Sequence, residues 1–233
     1  MKRQQWLYGL ALIMLMGISN ANAQPSLGLP WKAGEIWEVV RGYHGSIGGA
    51  YGIDFKPTAN ATTAIAASAA GTAYARENAV LPCDYNWKSP SRTIRIDHGD
   101  GWETAYTHEV DFSILGILPN GPGVLVKKGQ IIGYRGDQGC TTGPHLDFVL
   151  LKDGIAQPTP SFEGKRVQTG ASPITEADGY KTNDQYLSYN SPALSHPVGS
   201  LVRVAGENEV YYTSFALLMG KPLRSAGQGK TPR

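Results

Sequence analysis

The residues able to do chemistry in this 233-residue chain are a few histidines and aspartates. Five histidines occur: His44, His98, His108, His145 and His196. His44 precedes Asp54 by ten positions, across the glycine-rich stretch Gly45-Ser46-Ile47-Gly48-Gly49. His145 and Asp147 are two apart in Gly143-Pro144-His145-Leu146-Asp147-Phe148, and side chains two apart on a strand face the same side. His108 closes the run Trp102-x-x-x-Tyr106-x-His108. Histidine and carboxylate ligands suit zinc, and a hydrolytic zinc site needs about three protein ligands and an open position for water. Neutral imidazole exchanges protons near neutral pH. Taken singly, each residue has a plainer reading. His44 could be an exposed loop histidine and Asp54 a turn former, while His108 could pack on Tyr106 and His145 could end a strand.

Together these segments resemble the lysostaphin-type zinc peptidases, which are peptidoglycan endopeptidases, and among them the staphylolysin and beta-lytic branch. The resemblance covers roughly Leu29 to Tyr180. It implies that His44 and Asp54 are metal ligands, that the third ligand position falls on Asp147, and that His108 and His145 are the catalytic acid–base pair. Asp147 departs from the family, whose strand reads Gly-Pro-His-Leu-His-Phe with a second histidine at that position. Aspartate oxygen binds zinc at about 2.0–2.2 Å, yet it is shorter than imidazole, so the metal or the strand must shift. A second carboxylate also leaves the site formally neutral, which acidifies a bound water less. The resemblance implies a secreted zinc endopeptidase acting on peptidoglycan cross-links or glycine-rich peptides. The competing outcome is a weakened or inactive cell-wall-binding module of the same fold. In the same branch Cys83 and Cys140 sit where a disulfide is found, and a tyrosine in a loop comparable to that of Tyr180 helps stabilise the oxyanion. An ordinary surface tyrosine is the plainer reading of Tyr180.

The 29 glycines and 15 prolines favour a loop-rich β protein. Ile36 to Tyr43 reads as a strand leading into His44, Gly45 to Gly49 as a flexible loop, and Tyr51 to Phe55 as a second strand. Thr63 to Ala75 is alanine-rich, but its β-formers and Gly71 point to two strands joined near Ala70-Gly71. Arg92 to His98 alternates. Trp102 to His108 returns, and period two puts His108 on the face of Trp102 and Tyr106. Val124 to Val126 and Ile131 to Tyr134 are short strands, and Asp137 to Thr142 is a glycine-rich loop before His145. His98, beside a tight turn, reads as a hairpin or groove residue. Gly170 to Asp184 reads as polar loop and Leu187 to Pro197, with His196, as a linker. The fold class expected is all-β: mainly antiparallel sheets forming a grooved lysostaphin-type (barrel-sandwich hybrid) domain with a small C-terminal hairpin. Ser200 to Val204 with Glu209 to Leu218 reads as that hairpin; Gly199 to Arg203, Val210 to Tyr212 and Gly220-Lys221-Pro222 faintly resemble a surface-protein repeat, and a plain two-stranded extension fits as well.

Met1-Lys2-Arg3, an apolar run from Trp6 to Ile18 and Ala21-Asn22-Ala23 have the layout of a secretory signal peptide. The expected divisions are residues 1–23 as signal, 24–185 as the peptidase-like domain, and 186–233 as linker, extension and tail. Without Lys2 and Arg3 the 21 basic residues become 19, equal to the 19 acidic ones. That balance lacks the basic footprint of a nucleic-acid binder. The expected partner is peptidoglycan or a peptide, with no nucleic acid, no stable membrane insertion, a monomeric state, and a secreted or periplasmic location. In an oxidising compartment a disulfide is the default for two cysteines, free buried thiols being the alternative.

Overall fold

Branched and aromatic residues alternate with polar ones over much of the chain, and such strands bury one face against a second layer. A computed structural model, which describes residues 23–78, 87–88, 90–109, 111, 113–192, 201–203 and 210–212, is accordingly almost entirely β. Helix among these residues amounts to two short 3-10 turns, Ser113–Leu115 and Glu176–Asp178.

Twelve strands make one mainly antiparallel, curled sheet. Its middle runs in the order Gln185–Ser188, Ile36–Ser46, Gly49–Pro57, Leu146–Lys152, Trp102–Thr107, Ser91–Gly99, Gly71–Asn78, Val124–Val126. Ser161–Arg166 extends the first end and carries Leu27–Gly28 as a parallel neighbour. A separate pair, Ala64–Ala66 with Ile131–Tyr134, joins the core through Ile65 and Ile132. Alternation sorts the central strand: Leu146, Phe148 and Leu150 enter the main core, while Val149 and Leu151 join a small cluster with Ala105 and Ala156. Asp147 shares the parity of Val149 and Leu151, so the core fixes the direction of the polar residue by fixing its neighbours.

Trp31 stacks on Trp37 with ring centroids 5.1 Å apart, and Phe55, Phe162, Phe148 and Tyr106 continue the aromatic chain in edge-on or tilted contacts. Each is fully buried and contributes about 1.5–3 kcal/mol by the area it removes from water. These rings pack strands Gly49–Pro57, Leu146–Lys152, Trp102–Thr107 and Ser161–Arg166 against one another.

Several expectations are corrected. The stretch expected as a loop at Gly45 to Gly49 is mostly strand: one strand runs on to Ser46 and the next begins at Gly49. The two strands within Thr63 to Ala75 exist, but they do not pair with each other. Ala64–Ala66 pairs with Ile131–Tyr134, and Gly71–Asn78 lies between Ser91–Gly99 and Val124–Val126. Within the Asp137 to Thr142 loop, Gly139–Cys140 pairs with Trp87–Lys88. The polar stretch Gly170 to Asp184 holds a short strand, Ile174–Thr175, and a 3-10 turn. The linker expected from Leu187 starts inside a strand, for Gln185–Ser188 pairs with Ile36–Ser46 and Asn190 is buried against the Leu29 and Ala67 carbonyls. The sheet therefore continues across residues 185 and 186. Strands Leu201–Arg203 and Val210–Tyr212 pair as a hairpin. The signal-peptide reading up to Asn22, Cys83 and His196 lie outside the described residues. Among the described residues no helix is long and apolar enough to cross a membrane.

Candidate metal centre

Three adjacent strands bring the candidate ligands together. Asp147 stands opposite Asp54 on one side and Thr107 on the other. His44 stands opposite Gly52, two residues before Asp54, on a strand whose pairing shifts on both sides of His44. Such irregularities re-aim side chains. The result is that His44, Asp54 and Asp147 each offer a ligand atom within 4.8 Å of the others, the one such group among the described residues. His44 Nε2 lies 3.3 Å from Asp54 Oδ1. Ligands about 2.0–2.1 Å from a tetrahedral zinc are about 3.3–3.4 Å from one another, so this spacing fits.

The electrostatics suit a cation. Asp54 and Asp147 are each 7% exposed and directly opposed, and like charges so placed repel. Burial pushes both carboxyls above their usual range. For Asp54, His145 opposes that rise and the Asp147 charge adds to it; for Asp147, the Ser46 hydroxyl and His44 oppose it. Asp54 Oδ1 and Asp147 Oδ1 are buried without a hydrogen-bond partner. Two buried, unsatisfied carboxylate oxygens beside an imidazole nitrogen are the donor set that a divalent ion satisfies. Gly52 leaves the space: a Cβ there would fall 3.0 Å from Asp147 Oδ1 and 3.1 Å from His44 Cε1.

The imidazoles share one device. His44 Nδ1 lies 3.0 Å from the Gly42 carbonyl, His108 Nδ1 2.7 Å from that of Gln138, and His145 Nδ1 2.8 Å from that of Gly143. A carbonyl only accepts, so each Nδ1 carries the proton and each Nε2 keeps its lone pair. Thr141 Oγ1 adds a second contact to His145 Nδ1 at 3.2 Å. Backbone carbonyls that fix a ring in this way set its tautomer and its orientation.

His145 Nε2 reaches to 3.5 Å from Asp54 Oδ1, and its ring lies 4.6 Å from that of His108. The two rings thus flank the ligand group from one side. His108 arrives there against the alternation expected for it. Strict period two would send it into the core with Tyr106. Instead the strand ends at Thr107, and His108 takes a left-handed φ of 73° that swings its ring to His145. Burial pushes the His108 imidazole below its usual range, the Gln138 contact opposing.

The remaining candidates lie elsewhere. His98 bridges the Ala70 carbonyl and the Thr104 hydroxyl at 2.7 and 2.9 Å, so it is a hydrogen-bonded packing residue. Tyr180 is neither on the surface nor in the groove. It is fully buried, gives its hydroxyl proton to the Thr159 carbonyl at 2.9 Å and packs on Tyr43, Phe162 and Tyr186. Ser46, Gly42, Gly52, Gln138 and Thr141 bear on the site but escaped the sequence, because their part depends on pairing register and not on residue type. The one local clue was the glycine-rich composition between His44 and Asp54.

Residues 48–159 match the model of peptidase family M23. Over that stretch, just under half of the chain, the protein is similar to the M23 peptidases. The match contains Asp54, His108, His145 and Asp147, and the strand pairing supplies His44 just ahead of it. Protease LasA of Pseudomonas aeruginosa is 29% identical over 169 residues, which are 65% of this chain and 36% of that protein. The glycyl-glycine endopeptidase ALE-1 of Staphylococcus capitis is 32% identical over 78 residues, 31% of this chain and 22% of that protein. The chain therefore spans little more than a third of the first relative and less of the second. Among solved structures, the M23 metalloprotease pseudoalterin covers 58% of this chain and 76% of its own at 24% identity, with a TM-score of 0.41.

Proposed function

We propose that the M23-like domain is a secreted zinc endopeptidase that hydrolyses peptide bonds in peptidoglycan cross-links or glycine-rich peptides. The observation that carries this reading is the convergence of His44, Asp54 and Asp147, with two buried carboxylate oxygens left for a cation. His44 Nε2, Asp54 Oδ1 and Asp147 Oδ1 would hold the zinc ion. When bound, zinc supplies Lewis acidity, lowering the pKa of a water and polarising the scissile carbonyl. His145 and His108 present free Nε2 atoms on the adjoining side. His145, nearer Asp54, takes the proton of the attacking water at Nε2. The same proton is then handed on by way of His108 Nε2 to the leaving amine, and burial, which pushes the His108 imidazole below its usual range, favours its release there. Export places Cys83 and Cys140 in an oxidising compartment, where they pair. In support, no described cysteine is free, and Cys140 lies opposite Trp87, four residues beyond Cys83.

One observation favours a second reading. Asp147 stands where the family has histidine, and a formally neutral centre acidifies water less. The domain would then bind wall peptide without turning it over.

Zinc content and turnover decide between them. Purified protein is expected to hold about one zinc per chain and to cleave a glycine-containing muropeptide, and chelation is expected to abolish cleavage. His108→Ala and His145→Ala are expected to keep the zinc and lower kcat by about 10²–10⁴-fold. Zinc without cleavage supports the binding module, and neither zinc nor cleavage refutes the metal site.

A further inference from the structure

We infer that Ser46 is a positioning residue that adapts this metal centre to a carboxylate in place of an imidazole. The inference rests on the zinc reading of the site. The Ser46 hydroxyl donates to Asp147 Oδ2, while Oδ1 of the same carboxylate is buried without a partner. A carboxylate has two equivalent oxygens and turns about its Cβ–Cγ bond. A hydroxyl on one oxygen removes that freedom and leaves a single oxygen, Oδ1, toward His44 and Asp54. The hydroxyl can do this because the chain bends between His44 and Ser46, where the pairing with the Asp54 strand shifts register. It can do it also because residue 52 is glycine: a Cβ there would fall 2.6 Å from Ser46 Cβ, as well as against Asp147 Oδ1 and His44 Cε1. Ser46, Gly52 and Asp147 form one tightly fitted junction behind the ligand. A shorter ligand is thus supported from behind, by a neighbour that both aims it and satisfies its second oxygen. The same junction resists an imidazole. A ring at position 147 would compete with the Ser46 hydroxyl for the space that Oδ2 now occupies, so Asp147→His alone does not restore a histidine ligand.

The test is zinc affinity, measured by competition with a chromophoric chelator, with circular dichroism as the check on folding. Ser46→Ala is expected to weaken zinc binding about 10–100-fold, the range found when an outer partner of a ligand is removed. Asp147→His is expected to bind zinc less tightly than Ser46→Gly/Asp147→His by at least about tenfold, a non-additive pairing that a merely structural serine does not produce. If Ser46→Ala does not fold, this second comparison decides alone. Ser46→Ala at wild-type affinity, or Asp147→His equal to the double variant, overturns the inference while leaving the zinc site in place. A wild-type protein that binds no zinc overturns the site and the inference together.

Discussion

Glu109 follows His108 directly, and its carboxyl is fully buried with no hydrogen bond of ordinary geometry. Burial pushes it well above the usual glutamate range, the Tyr134 amide opposing in part. A folded-state pKa above the unfolded one means that the native protein keeps a proton the unfolded chain has released. Stability from this group is therefore highest below the ordinary glutamate value of about 4.3, falls as pH rises toward the raised value, and is level beyond it. Urea unfolding of wild type and Glu109→Gln from about pH 4.5 to 8 measures the effect. The variant is expected to show a flatter loss of stability with rising pH, and an unchanged slope contradicts the assignment. At this scale the side chains singled out from the sequence, His44, Asp54, His108, His145 and Asp147, lie close together in the fold. What it could not show was their support. The Gly42, Gln138 and Gly143 carbonyls that set the three tautomers are backbone atoms, which every residue has, so no residue type announces them. Tyr180 shows the reverse limit, for a tyrosine placed by loop analogy turned out to be core.

Strands and the breaks within them aim the side chains. The His44 strand was legible to Tyr43 from its alternation, and its continuation through glycine to Ser46 was not, because Gly45 and Gly48 read as a loop when partners are unknown. The partner strand decides the matter by pairing His44 with Gly52. His108 failed for a related reason: period two holds only while the strand lasts, and the strand stops one residue short. Gly42 tests how far this aiming depends on close backbone contact. A Cβ at residue 42 would fall 2.5 Å from the Tyr180 carbonyl oxygen, and the next nearest atoms, of Tyr180 and Gly179, are backbone too and yield little. Gly42→Ala is expected to cost about 1–3 kcal/mol by overpacking. It is also expected to weaken zinc binding, because the Gly42 carbonyl holds His44 Nδ1. Urea unfolding with a parallel zinc titration reads both, and a variant unchanged in both contradicts the proposed support.

Across the whole molecule, the all-β class followed from glycine, proline and alternation. The order of strands did not, since pairings such as Asp147 with Asp54 join segments some ninety residues apart. The aromatic core around Trp31, Trp37, Phe55, Phe148 and Phe162 packs those distant segments together, and close packing of this kind resists deformation. That rigidity lets the fold hold two buried carboxylates face to face, an arrangement that costs stability until a cation joins them. On the zinc reading proposed for the site, one ion does so with Asp147 as a ligand. Crystals grown with zinc and measured at the zinc absorption edge test it most directly. A single anomalous peak is expected, bonded to His44 Nε2, Asp54 Oδ1 and Asp147 Oδ1 at about 2.0–2.2 Å. No peak at this junction, or a peak from which the Asp147 carboxylate is turned away, contradicts it.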